Sequence, residues 1–132
     1  MRRLDPVELR NEQDVVTARQ FVRNVVHELG FSLVDQTKIV TATSELARNT
    51  VIHGGGGTMV CEAGQNAERT GVRITFEDTG PGIVDIPKAM KDGWTSGNGL
   101  GMGLPGSRRL MNEFQLDSVP GKGTRVVVAR WK

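Results

Sequence analysis

Hydrophobic and polar positions along this chain follow two periods, and the places where one gives way to the other mark its elements. Val15, Ala18, Val22, Val25 or Val26, and Leu29 recur at helical spacing, opened by Asn11 with Asp14 three residues on and closed by Gly30. Ser32 with Asp35 opens a second helix, whose stripe of Ile39, Ala42 and Leu46 runs roughly to His53. After the four glycines 54–57, which must form a turn, period two takes over. Thr58 to Gly64 predicts one strand. Val72, Ile74 and Phe76, alternating with Arg73, Thr75 and Glu77, predict another that stops at Asp78. The polar stretch Gln65 to Thr70 makes the two an antiparallel hairpin. Residues 2–10 predict a short edge strand, with Pro6 tolerated only at an edge or bulge. Ser107 to Phe114 predicts a short third helix. Gln115 to Val119 and Thr124 to Trp131 predict a second hairpin around Pro120-Gly121-Lys122-Gly123.

Strands that pair as hairpins, with helices not interleaved one by one, predict an α+β two-layer sandwich with a mostly antiparallel sheet. Between Ile83 and Asn98 the pattern predicts only one helical turn, at Ile86 to Met90, and turns at Asp92-Gly93 and Ser96-Gly97. A connection of that length in a compact fold is functional or mobile, so it reads as a lid with Trp94 as a reporter of its position.

Composition narrows the classes. The 132 residues read as a single domain, 1–132, long enough to bury about two thirds of the unfolded surface. A net charge of +2 gives no field strong enough to predict nucleic-acid binding. No run of eighteen apolar residues or signal segment occurs, so the reading is no membrane and a cytoplasmic location. One cysteine, Cys61, excludes an internal disulfide and reads as a small buried hydrophobe. His53 at a helix end caps carbonyls more readily than it binds metal, and no zinc spacing occurs.

Three groups carry candidate chemistry. The alternation places Asp78 on the buried side of its strand, where an acid must meet a donor from the fold or a ligand, and Gly80 and Gly82 let backbone approach closely. Glu45 and Asn49, spaced i, i+4, stand on one face of the second helix, showing a carboxylate and an amide beside the apolar stripe. Gly99-Leu100-Gly101-Met102-Gly103-Leu104-Pro105-Gly106 leads into a helix start, where bare N–H groups suit an anion. It does not follow a strand, so the dinucleotide reading fails, and no P-loop is present.

These pieces together resemble the GHKL, or Bergerat-fold, ATPases. Glu45-Leu46-Ala47-Arg48-Asn49 is similar to the N-box, Asp78-Thr79-Gly80-Pro81-Gly82 to the G1 box, Gly99 to Gly106 to the G2 box, and Gly123-Thr124 to the last small motif, in order across nearly the whole chain. Asp92 to Gly97, Gly103 to Gly106 and Arg108-Arg109-Leu110-Met111 look most like the RsbT-type stressosome kinases, within the small anti-sigma and switch-protein serine/threonine kinases. The resemblance implies an ATP-binding Bergerat sandwich with a mobile ATP lid, and cofactors ATP and Mg²⁺. It implies that Asp78 accepts from the adenine amino group with Gly80 and Gly82 admitting the ring, and that Asn49 holds Mg²⁺ against the phosphates. Glu45 would be the general base for a protein hydroxyl, Gly99, Gly101 and Gly103 would cradle phosphates, and Thr124 would support the adenine end. One departure is that no arginine in the lid before Gly99 serves the γ-phosphate, leaving Lys88 and Lys91 as substitutes.

The implied function is an ATP- and Mg²⁺-dependent protein serine/threonine kinase of a partner switch. It would phosphorylate STAS-domain antagonist and scaffold proteins of a stressosome and, on release, activate a PP2C-type phosphatase. The rival is an anti-sigma factor or nucleotide-gated binding switch with little transfer. Asp78-Thr79-Gly80 is also the aspartic-protease triplet, but Glu77 before it and Pro81-Gly82 after it fit that class poorly.

Overall fold

The computed structural model describes residues 1–84, 86–90 and 103–132. In chain order these form Arg2–Arg3 (β1), Val7–Leu9 (β2), Glu12–Glu28 (α1), Leu33–Ile52 (α2), Gly57–Asn66 (β3), Arg69–Asp78 (β4), Ile86–Ala89 (α3), Gly103–Leu110 (α4), Glu113–Val119 (β5) and Gly123–Trp131 (β6). The strands make an antiparallel sheet in the order β1-β3-β4-β6-β5, with β2 also on β3, and the helices cover one side of it. This is the α+β two-layer arrangement that the pattern predicts.

Both long helices begin where a short polar side chain can cap them. Asn11 Oδ1 accepts from the Asp14 N–H at 3.0 Å, and Ser32 Oγ accepts from the Asp35 N–H at 3.1 Å. Helix α1 buries Val15, Ala18, Val22 and Val26, which settles the choice between Val25 and Val26 in favour of the latter. Helix α2 buries a broader stripe, adding Val40, Thr43, Ala47 and Thr50, because α1, α4 and the sheet all pack on it. The hydroxyls of Thr43 and Thr50 return to the carbonyls of Ile39 and Leu46 at 2.8 and 2.9 Å, so neither is buried unpaired. Beneath the helices lie Met59, Cys61, Val72, Ile74, Phe76, Val126 and Val128. Each such fully buried side chain contributes about 1.5–3 kcal/mol.

Several boundaries differ from the sequence expectation. Gly57, expected in the glycine turn, opens β3 because it pairs with Asp78, and β5 already starts at Glu113. The larger differences also have a physical reason. The predicted strand over residues 2–10 is two short ones, registered Arg2↔Ala63 and Val7↔Met59, because Pro6 between them lacks an N–H to continue the ladder. The polar stretch Gln65 to Thr70 is mostly strand: Gln65↔Thr70 and Asn66↔Arg69 pair, leaving only Ala67-Glu68 to turn. Polar residues are accommodated there because their backbone groups pair across the ladder and the hairpin end is largely exposed. Helix α4 begins at Gly103, not Ser107, and ends at Leu110. Phe114 therefore lies in β5 opposite Val128. Pro105 falls in the first turn of that helix, where its missing N–H needs no partner. Burial of Pro105, Gly106 and Ser107 outweighs glycine's poor helix propensity. Among the described residues no helix is long and apolar enough to cross a membrane.

Cys61 sits in β3 at 1% exposure, opposite Ile74. Burial, with the Glu62 charge adding to it, pushes the thiol from its ordinary 9.0 up to about 12. The unfolded thiol ionises first, so the neutral thiol's contribution to stability is full below pH 9.0 and is lost as pH climbs toward about 12. Native protein should therefore resist a disulfide reagent at about pH 8 and react within seconds in denaturant. Rapid stoichiometric labelling of the native chain would show that Cys61 is not packed as described.

Candidate nucleotide site at the end of strand β4

Strand β4 ends at Asp78, flanked across the ladder by Gly57 of β3 and Thr124 of β6. Its carboxylate shares the helix-facing side with Val72, Ile74 and Phe76, and the donors that this position requires come from the fold itself. Asp78 Oδ1 accepts from the Gly80 N–H at 2.9 Å and from the Thr124 N–H at 3.3 Å. Oδ2 is turned toward the end of α2. There the His53 and Gly54 N–H groups both donate to the Asn49 carbonyl, at 2.9 and 3.2 Å, and close the helix. A Cβ added to Gly54 would stand 2.4 Å from Asp78 Oδ2, and one added to Gly80 would stand 2.5 Å from the Gly54 carbonyl oxygen. The last turn of α2 and the loop after β4 thus meet backbone to backbone, with the acid between them.

A second set of contacts fixes that loop to the β5–β6 hairpin. Gly82, at φ +73°, lies so close that a Cβ would come within 2.4 Å of the Val119 carbonyl oxygen, and the Gly121 N–H donates to the Pro81 carbonyl at 2.7 Å. Ser118 Oγ accepts from the Ile83 N–H at 2.7 Å, donates to the Gly123 carbonyl at 3.1 Å, and lies 2.8 Å from Thr124 Oγ1. Sequence reasoning missed Ser118. The one available signal was a hydroxyl at an inward position of β5, in line with Phe114 and Leu116.

Helix α2 places Glu45 and Asn49 one turn apart, both half-buried, toward the end that meets Asp78. Arg48 Nη1 lies 3.5 Å from Glu45 Oε1, while its Nη2 reaches Glu12 Oε1 of α1 at 3.4 Å. Such partly exposed pairs contribute at most about 1 kcal/mol, so Arg48 adds little to the stability of the fold through them. His53 is the C-cap residue of α2, with an exposed side chain and its backbone N–H on the Asn49 carbonyl. Gly103 enters α4 at φ +59°. Gly99, Gly101, Trp94 and Lys91 lie outside the described residues, and Lys88 falls in the single turn α3. Among the described residues no three His, Cys, Asp or Glu gather closely enough to hold a metal ion. A depression of about 300 Å³ lined by Arg73, Glu113, Gln115 and Val127 lies along β5 and β6, displaced from Asp78, and holds none of the candidate residues.

Residues 34–132, three quarters of the chain, match the family of histidine kinase-, DNA gyrase B- and HSP90-like ATPases. The chain belongs to the GHKL ATPases. It is 50% identical to the serine/threonine-protein kinase RsbT of Bacillus subtilis over 125 residues, covering 95% of this chain and 94% of that protein, which places it with the RsbT-type kinases of the family. It is 32% identical to the anti-sigma F factor of Clostridium acetobutylicum over 120 residues, covering 86% of this chain and 82% of the relative. A solved structure of the RsbU and RsbW domains of Rv1364c from Mycobacterium tuberculosis superposes with a TM-score of 0.63. At 20% identity it covers 97% of this chain and 33% of that one, and supports the fold alone. In this GHKL domain the residues that resemble the N-box, the G1 box and the last small motif come together at the meeting of α2, β4 and β6, which is the candidate site.

The backbone contact at Gly80 leaves no room for a methyl group. Gly80→Ala should destabilise the GHKL domain by about 1–3 kcal/mol, seen as a lower urea midpoint. It should also weaken hydrogen-exchange protection of the Thr124 amide. An unchanged midpoint would mean that α2 and the loop do not touch.

Proposed function

We propose that this GHKL domain, acting as one unit over residues 1–132, is an ATP-dependent protein serine/threonine kinase of a partner-switching module. The observation that carries the reading is the Asp78 carboxylate, with Oδ1 held by the Gly80 and Thr124 N–H groups and Oδ2 turned toward Gly54. An acceptor fixed in that way suits the amino group of adenine, and glycines 80 and 82, packed on the Gly54 and Val119 backbone, hold the loop beside it where the ring would lie. Glu45 and Asn49 share a face of α2 toward the same end. Asn49, with a neutral amide oxygen, suits Mg²⁺ that is also held by phosphates, since that ion keeps few protein ligands. When bound, Mg²⁺ supplies neutralisation of phosphate charge. Glu45, paired with Arg48, takes the proton of an incoming Ser or Thr hydroxyl. Gly99, Gly101 and Gly103 would line the phosphates, and Thr124 would complete the adenine end. In place of a lid arginine the sequence offers Lys88 and Lys91.

Support for a protein substrate comes from the relative named as a serine/threonine kinase. STAS-domain antagonist and scaffold proteins of a stressosome are the substrates that this reading favours, with a PP2C-type phosphatase activated by contact on release, all in the cytoplasm. The similarity to anti-sigma F factors favours a second reading, a nucleotide-gated binding switch with little transfer.

Label transfer from γ-labelled ATP with Mg²⁺ to a STAS-domain partner tests both. Wild type should label a Ser or Thr of the partner. Glu45→Ala should keep ATP affinity and lose transfer by about 100-fold or more. Asp78→Asn should weaken ATP binding by about tenfold or more, because an amide there turns an N–H toward the Gly80 and Thr124 donors or loses the charge that the ligand meets. Full transfer by Glu45→Ala would overturn its role, as undiminished ATP affinity in Asp78→Asn would overturn that of Asp78. Binding of ATP and partner by wild type without transfer would select the binding switch.

A further inference from the structure

Ser118 has the means to decide which nucleobase the site accepts, an inference that rests on the nucleotide reading above. A serine hydroxyl has one proton and two lone pairs. Three contacts surround Ser118 Oγ: the Ile83 N–H at 2.7 Å, the Gly123 carbonyl oxygen at 3.1 Å and the Thr124 hydroxyl at 2.8 Å. The Ile83 amide can only donate and the Gly123 carbonyl can only accept. The first therefore takes one lone pair of Ser118 and the second takes its proton. What remains is one lone pair, so the contact with Thr124 is satisfied only when Thr124 donates.

That assignment uses up the single proton of Thr124. Its Oγ1 is left with lone pairs alone, on the same helix-facing side of the sheet as its cross-strand partner Asp78. Asp78 Oδ1 already receives two N–H groups, and a carboxylate has no proton to offer. Among the described residues, these two paired side chains consequently present acceptors and no donor at the end of β4.

We infer that Ser118 is a specificity-determining positioning residue: by capturing the Thr124 proton it makes this pair of side chains acceptor-only, so that a purine with a 6-amino group is taken and one with a 6-oxo group is refused. A 6-amino group brings two protons to such a pair, whereas a 6-oxo group sets lone pairs against lone pairs. A site whose buried polar groups would be left unpaired discriminates far more strongly than one that differs in shape alone.

The test measures dissociation constants of the full chain for ATP and for inosine triphosphate, which carries a 6-oxo group, both with Mg²⁺. Wild type should prefer ATP by about 100-fold or more. Ser118→Ala returns the Thr124 proton, which can then turn toward a 6-oxo oxygen, and should narrow the preference by about tenfold or more. Ser118→Cys, which keeps nearly the same volume but accepts weakly, should move the preference the same way and serves if the alanine variant does not fold. In a Thr124→Val background no hydroxyl remains to turn, so adding Ser118→Ala should leave the preference where Thr124→Val put it. Equal weakening of both triphosphates by the Ser118 variants would reduce Ser118 to an anchor of the Ile83 loop and overturn the inference. So would a wild type that binds the two alike, while leaving the nucleotide reading standing. A wild type that binds neither triphosphate would overturn the nucleotide reading itself.

Discussion

The arrangement depends on one carboxylate being held in place by hydrogen bonds at the end of a buried strand. Asp78 follows Val72, Ile74 and Phe76 onto the helix-facing side, and an acid in that position destabilises the fold unless donors reach it. Two backbone N–H groups do so, one from two residues along the same chain segment and one from a different strand. Satisfying Asp78 therefore requires the loop after β4 to curl back and β6 to lie beside β4 in a fixed register. The approach of α2 to the same point is possible only because Gly54 and Gly80 bear no side chains. A local electrostatic demand thus sets the relation of three elements.

Around that point the two faces of the sheet divide the work. The helix-facing side carries the core and, at one end, the candidate site, so the residues that hold the fold and those that would meet a ligand belong to the same row of alternate positions. Ser118, Thr124 and Asp78 continue the rows begun by Phe114 and Leu116, by Val126 and Val128, and by Ile74 and Phe76. The site is in effect the polar margin of the hydrophobic core. Its polar groups satisfy one another and leave acceptors facing outward.

How much of this the sequence disclosed depended on whether the determining interaction was local. Both long helices were legible because Asn11 and Ser32 cap amides three residues away. Asp78 was legible as a buried acid in need of a donor, since strand alternation is also local. The extent of the first hairpin was not, because Gln65, Asn66, Arg69 and Thr70 look like loop residues and become strand only through pairing with one another across the ladder. The start of α4 was hidden for a related reason: glycines and a proline signal a break, and only packing against α2 turns Gly103 to Gly106 into a helical turn. Ser118 gave almost no signal, since its three partners come from one neighbouring strand and a distant loop. The GHKL motifs led to Asp78, Asn49 and Thr124 but did not point to the residue that sets the hydrogen-bonding sense of Thr124.

The sheet order carries a consequence for how the protein is made. Strand β6 lies between β4 and β5, although it follows both in the chain, and its Thr124 meets Asp78 across 46 positions of sequence. A nascent chain that has emerged through β5 has a complete β3–β4 hairpin and both long helices, but no strand to cover the inner edge of β4 and no second N–H for Asp78. The candidate site is thus completed at a late step of synthesis. Until then the chain exposes a pairing edge of the kind that chaperones cover.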